Sequence, residues 1–209
     1  ELIYAHPFGG SQDPCLLKLK DGTLLCASYG WAFSSQEGID NLGKPVLHES
    51  WHGGEIAFLG GYILRSFDKG KTWEDPIIPP TLDSEIYISA TGEPLPTYNR
   101  GAMYEGKNGK IYWIVAGHDL APLGKTSNHL LVSEDKGETW QYSGLVATDD
   151  SVAFNEASVY ETPKGDIVGF LRTTLYDHAC IARSTDGGKT FKWKSMQFQG
   201  HPLAALRLP

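Results

Sequence analysis

Short apolar runs separated by glycine-bearing turns recur along the chain, and their order repeats. Cys15-Leu16-Leu17-Lys18-Leu19 leads through Asp21-Gly22 to Leu24-Leu25-Cys26-Ala27. Gly101-Ala102-Met103-Tyr104 leads through Asn108-Gly109 to Ile111-Tyr112-Trp113-Ile114-Val115, and Ala157-Ser158-Val159-Tyr160 leads through Lys164-Gly165 to Ile167-Val168-Gly169-Phe170. Runs this short, closed by turn residues and rich in β-branched and aromatic side chains, predict strands joined in hairpins. A third run completes each unit: Tyr62-Ile63-Leu64, His129-Leu130-Leu131-Val132 and Cys180-Ile181-Ala182. No stretch sustains an apolar period of about 3.6 residues, so helices are expected to be few.

Each third run is followed by the same octapeptide frame, Ser-x-Asp-x-Gly-x-Thr-aromatic. The copies are Ser66 to Trp73, Ser133 to Trp140 and Ser184 to Phe191, and their aspartates Asp68, Asp135 and Asp186 lie 67 and 51 residues apart. The aspartate can accept backbone N–H groups, the glycine tolerates positive φ, and the threonine hydroxyl can reach back to the carboxylate. Three equivalent catalytic acids on three repeats make little sense, so these aspartates are read as structural turn residues. A fourth strand is expected after each octapeptide.

Four antiparallel strands per repeat describe a propeller blade. The chain is therefore predicted to be all-β, one partial β-propeller domain. Blade 1 spans about 12–78, blade 2 about 99–147 and blade 3 about 155–198, with the start of a fourth at 200–209. Propellers close with about four to eight blades, so the chain is expected to be part of a longer propeller, its missing blades supplied by further sequence or by self-association.

The 209 residues carry a net charge of −7 with no basic patch, which argues against a nucleic-acid partner. No apolar run approaches the ~20 residues of a membrane span, and no signal-peptide pattern opens the chain. The three cysteines, Cys15, Cys26 and Cys180, cannot all pair internally. A turn pairing Lys20 with Thr23 sets Leu17 opposite Cys26 and leaves Cys15 diagonal to it, so all three are read as free, small core residues.

In an up-and-down blade the tight turns share one face, and the loops after strands two and four share the other. On that second face the innermost residues begin the first strands or end the second strands. The beginnings are Gln12-Asp13-Pro14, Asn99-Arg100, Asn155-Glu156 and Gly200-His201; the ends are Tyr29-Gly30-Trp31, His118-Asp119 and Arg172-Thr173. All are expected to converge on one funnel. Its arginines suit bidentate recognition, and Glu156 suits an acid, base or electrostatic role. The bland alternative is that Glu156 and Arg172 form a buried ion pair holding blade 3. His118-Asp119 and Asp177-His178 lack ligand spacing, so neither a metal nor another cofactor is expected.

The octapeptide resembles the Asp-box of the sialidase (neuraminidase) superfamily. Phe154-Asn155-Glu156-Ala157-Ser158 followed by Gly169-Phe170-Leu171-Arg172-Thr173 is similar to the sialidase segment in which Asn-Glu opens a strand and Arg ends the next. The resemblance implies a propeller of about six blades, a secreted or periplasmic setting and retaining hydrolysis of glycosides with a tyrosine nucleophile. It gives Glu156 the task of polarising that tyrosine and Arg172 a place in a carboxylate-binding triad. Arg100, Asp13, His118 and His201 are the further substrate-binding candidates. The chain departs from the family where Gln12-Asp13-Pro14 replaces Arg-Ile-Pro, and where no aspartate matches the acid/base residue; Glu55 or Asp40 could substitute, though each also reads as a solvated loop carboxylate. The third arginine and the tyrosine would come from blades outside this chain. The first substitution points to a uronate or a neutral sugar. Two alternatives remain: a non-catalytic carbohydrate-binding propeller, and a polysaccharide lyase using His52, His118, His178 or His201 as base with Arg100 or Arg172 neutralising a uronate.

Overall fold

The computed structural model describes residues 3–5, 9–119, 125–173 and 178–200. Among the described residues, twelve strands form three four-stranded antiparallel sheets. The first contains β1 (Gly9–Lys18), β2 (Leu24–Ser34), β3 (His48–Trp51) and β4 (Gly54–Ser66), in the order β1-β2-β4-β3. The second runs β5 (Tyr104–Glu105), β6 (Ile111–Gly117), β7 (Ser127–Ser133) and β8 (Gln141–Ala147). The third runs β9 (Phe154–Glu161), β10 (Ile167–Thr173), β11 (Cys180–Ser184) and β12 (Lys192–Ser195). The helix among the described residues is α1 (Gln36–Asp40), where Gly38 N–H donates to the Ser35 hydroxyl at 3.1 Å.

The sheets stack in sequence, and side-chain alternation makes the stack. On β6, Ile111, Trp113 and Val115 pack with Leu19, Leu25, Ala27 and Ile63 of the first sheet. Their neighbours Tyr112 and Ile114 point the other way, against Phe154, Val159 and Leu171 of the third. A strand covered on both faces must be apolar throughout, and all seven residues of β6 are buried. The arrangement fits that of successive propeller blades.

The octapeptide turns are built as their chemistry dictates. Asp68 Oδ1 accepts from Thr72 N–H and Ser66 Oγ, both at 2.9 Å, and Oδ2 accepts from the Thr72 hydroxyl at 2.7 Å. Asp135 and Asp186 repeat this pattern with Thr139 and Thr190. The turns also join sheets. Gly137 has φ +85°, and a Cβ there would meet the Leu25 side chain at 2.8 Å; one on Gly188 would meet Leu130 at 2.4 Å. Each of these glycines thus seats its turn on a leucine of the preceding sheet.

Three sequence expectations need correction. The β1–β2 turn is one residue longer than predicted: Leu19 N–H donates to Thr23 C=O at 2.8 Å, so Leu16, not Leu17, faces Cys26. Cys15 faces Ala27, and all three cysteines are free. The fourth strand of the first sheet precedes β4 rather than following the octapeptide. β3 takes one end of that edge, while the segment after Trp73 pairs through an Ile63–Ile77 bridge and a hydrogen bond from Glu74 N–H to Arg65 C=O at 2.9 Å. The first strand of the second sheet, expected from Gly101, shrinks to Tyr104–Glu105. Asn99 takes the missing ladder's place, donating from Nδ2 to Ile114 C=O at 2.5 Å.

Candidate functional site

A cleft of about 940 Å³ opens where the three sheets meet, on the face away from the octapeptide turns. Gln12, Tyr29, Arg100, His118, Asn155 and Arg172 all line it. These residues begin first strands or end second strands; Asp13, Asp119, Glu156 and Gly200 of the same expectation do not line the cleft wall.

At its base lies a charged cluster of four side chains. Glu156 Oε1 accepts from guanidinium nitrogens of both Arg172 and Arg100. A second nitrogen of Arg100 pairs with Asp13 Oδ2, which also accepts from the Tyr29 hydroxyl at 2.9 Å. Glu156 is only 2% exposed and sits behind the arginines rather than on the cleft wall. Two of its atoms lack hydrogen-bond partners in a buried setting: Glu156 Oε2 and Arg172 Nε. Burial, reinforced by the neighbouring Arg100 charge, pushes the pKa of Arg172 down from its usual value. Burial likewise pushes the Tyr29 phenol up.

Irregularities in the ladders aim these side chains. In β1, Asp13 and Pro14 together oppose Ser28, whose hydroxyl donates to Gln12 C=O at 2.7 Å. Asp13 has φ 49°, a left-handed conformation that aspartate tolerates better than most residues. In the third sheet Asn155 and Glu156 together oppose Arg172, between the pairs Leu171–Ala157 and Thr173–Phe154. A further shift between Gly30 and Trp31 leaves Leu59 unmatched in β4. Bulges of this kind bend a strand and redirect its side chains.

Asn99 and Gly101 bring Arg100 to Glu156. Asn99 Oδ1 accepts from Gly101 N–H at 2.9 Å and Ala157 N–H at 3.3 Å, tying the second sheet to the third. A Cβ on Gly101 would fall 1.5 Å from the Ala157 carbonyl oxygen, so only glycine permits that approach. The residues flanking this contact are Arg100 and Glu156.

The upper wall is aromatic. Tyr29, Trp31 and Phe33 share one face of β2 and line the cleft in succession, from buried Tyr29 to Phe33 at 72% exposure. Phe58 lies behind them, its ring centroid 4.8 Å from that of Trp31 and 4.5 Å from that of Tyr98. His118 stacks on Tyr98 at 5.8 Å and meets Tyr87 edge-on at 5.2 Å. Its backbone N–H donates to Glu85 Oε2 at 2.9 Å, and its Nδ1 lies 3.7 Å from the same oxygen.

Other candidates lie elsewhere. Glu55 accepts from the Ser50 hydroxyl at 2.7 Å and contacts His48 Nδ1 at 3.0 Å within the β3–β4 hairpin. The Ser50 and His48 contacts lower its pKa. Strand alternation puts Glu55 on one face of that hairpin and Glu49, opposite Ile56, on the other; it is Glu49 and Ile56 that line the cleft. Sequence reasoning missed Glu49 because β3 itself was read as loop. Asp40 accepts from Gln36 Nε2 at 2.8 Å on α1, and His52 occupies the β3–β4 turn with φ 49°. Neither these two nor His178 lines the cleft. His201 and Asp177 fall outside the described residues. Among the described residues no group of three or more His, Cys, Asp or Glu is placed to hold a metal ion. Nor is any described helix long and apolar enough to cross a membrane.

Three sheets stacked around a shared cleft fit successive propeller blades, and comparison gives the chain a family. The BNR repeat-like domain family matches residues 36–203, and the chain belongs to this family. A protein of unknown function from Dyadobacter fermentans is 66% identical, with a TM-score of 0.92 over 100% of this chain and 57% of its own length. The chain thus spans little more than half of that relative. A Hadza microbial sialidase shares the fold at 18% identity and a TM-score of 0.59, over 91% of this chain and 34% of its own. An α-L-arabinofuranosidase of Fusarium graminearum, solved with arabinobiose, does so at 19% identity and 0.54, over 88% and 47%. No curated protein sequence matches the chain.

Proposed function

We propose that the chain supplies three blades of a longer propeller that hydrolyses glycosides at this cleft. Supporting the longer propeller is the 57% coverage of the Dyadobacter fermentans relative. A partly apolar outer face of the first sheet, where Leu16 is 62% exposed, is another support.

The observation that carries the hydrolase reading is the half-satisfied carboxylate of Glu156. Oε1 holds both arginines, whereas buried Oε2 has no hydrogen-bond partner. Buried carboxylate oxygens are nearly always hydrogen-bonded, so Oε2 calls for a donor. A tyrosine hydroxyl from a further blade would satisfy it, and Glu156 would then polarise that hydroxyl toward attack at the anomeric carbon. The acid/base role goes to Glu49, the carboxylate on the cleft wall, in place of Glu55.

The test is a panel of aryl glycosides with the full-length protein. Turnover of at least one sugar is expected. Glu156→Gln should lower kcat about 10²–10⁴-fold, the usual range for a positioned proton-transfer partner, in a variant that still unfolds cooperatively. Glycan binding by the wild type without turnover of any sugar would replace this reading with that of a binding module.

A further inference from the structure

Resting on that reading of the cleft, we infer that its ligand is a neutral disaccharide or longer glycan, with Asp13 as the residue that excludes acidic sugars and Trp31–Phe33 as the seat of the second sugar ring. The first half of the inference follows from charge. A cleft that binds a carboxylate must offer cationic donors not already neutralised, because taking a guanidinium–carboxylate contact out of water is favourable only when the partners pair with each other. Here Arg100 is engaged at both ends, by Asp13 and Glu156, and Arg172 shares the same Glu156 oxygen. Two cations and two carboxylates cancel. Glu49, the carboxylate that lines the wall, is exposed and adds negative charge. A sialic acid or uronate would meet Glu49 and an Arg100 already neutralised by Asp13, without a free cation to compensate. Hydroxyl groups meet no such penalty, since Glu49 can accept from them and arginine can donate to them.

The second half follows from the aromatic ladder. Large apolar side chains are normally covered, yet Phe33 is 72% exposed at the mouth of a cleft whose deeper wall is Trp31 and Phe58. Sugars present C–H faces that lie flat on aromatic rings and hydroxyl edges that need polar partners. The ladder supplies the flat surface, and the cluster beneath supplies the polar partners. Strand residues two apart stand roughly 6.5–7 Å from one another, so the rings of Trp31 and Phe33 lie more than one sugar ring's thickness along the wall. A monosaccharide deep in the cleft leaves Phe33 uncovered, whereas a second ring reaches it.

The experiment measures binding to the full-length protein by titration calorimetry and saturation-transfer NMR. The probes are arabinobiose, galactobiose and xylobiose against 3′-sialyllactose and a glucuronyl disaccharide. At least one neutral disaccharide should bind about tenfold or more tightly than either acidic one. Trp31→Ala should weaken it about tenfold, the usual loss on truncating a buried aromatic anchor. Phe33→Ala should weaken disaccharide binding while leaving the monosaccharide unchanged. Asp13→Asn, which releases Arg100, should raise affinity for the acidic probes about tenfold, with its melting temperature showing that the fold is retained. Preferred binding of an acidic probe by the wild type, or no gain in the Asp13→Asn variant, would overturn the inference. Neutral binding without hydrolysis sinks the hydrolase reading alone, hydrolysis confined to sialosides sinks the substrate class alone, and failure of every probe to bind sinks both.

Discussion

At the scale of single residues, the site depends on positions that never touch a ligand. Asn99 is 2% exposed and links Gly101, Ala157 and Ile114 through one amide. Asn99→Ala strands several buried backbone groups, and each unsatisfied group costs about 1–3 kcal/mol. Denaturant unfolding should register at least that loss, and no loss would show that the link carries no load. Gly101→Ala drives a Cβ into the Ala157 carbonyl and should separate Arg100 from Glu156, so that glycan affinity falls along with stability. The octapeptide aspartates give a pH signature. Hydrogen bonds from the Thr72 N–H and hydroxyl hold Asp68 down at about 2, and Asp186 is lowered likewise. Asp135 is lowered by Thr139 even though burial pushes it upward. A depressed acid stabilises the fold above its unfolded pKa of about 3.9 and loses that contribution as pH falls through the folded value. The melting temperature should therefore be flat from neutrality to about pH 5 and fall between about pH 4 and 2. Asp68→Asn should flatten that fall, and an unchanged slope would dissociate the turns from acid sensitivity.

At the scale of elements, strand existence was readable and strand detail was not. Turn chemistry at Asn108-Gly109 and Lys164-Gly165 and the apolar runs beside it located β6, β9 and β10, because local propensity and tertiary burial agree there. β3 was missed because His48-Glu49-Ser50-Trp51 has no apolar alternation; only pairing with β4 makes it a strand. The Cys15–Cys26 register slipped by one because the sequence does not say whether Lys20 closes the turn or Leu19 does. The bulges at Asp13 and Glu156 were equally invisible, yet they bring those two carboxylates onto the arginines at the base of the cleft. The convergence of Arg100, Glu156 and Arg172 was legible from topology alone, while the neutralisation of Arg100 by Asp13 needed coordinates. The octapeptide contributes at this scale as an inter-sheet contact. Gly137→Ala forces a Cβ at φ +85° against Leu25 and should cost about 1–3 kcal/mol, read as a lowered unfolding midpoint. A neutral result would mean that the turn is not seated on the first sheet.

At the scale of the whole molecule, the sheets and the cleft are one construction. Each interior sheet face is covered by the next sheet, so the strand ends crowd around a common centre and must be polar to stay hydrated or paired. That geometry collects two arginines and two carboxylates without any contiguous motif. The proposal that this centre receives a neutral glycan is tested most directly by the structure of the full-length protein with a neutral disaccharide bound. One sugar ring is expected against Trp31, with its hydroxyls toward Arg172 and Arg100, the second ring over Phe33, and a tyrosine hydroxyl on Glu156 Oε2. A sugar bound on another face, or Oε2 satisfied by a buried group with no path to the cleft, would contradict the account.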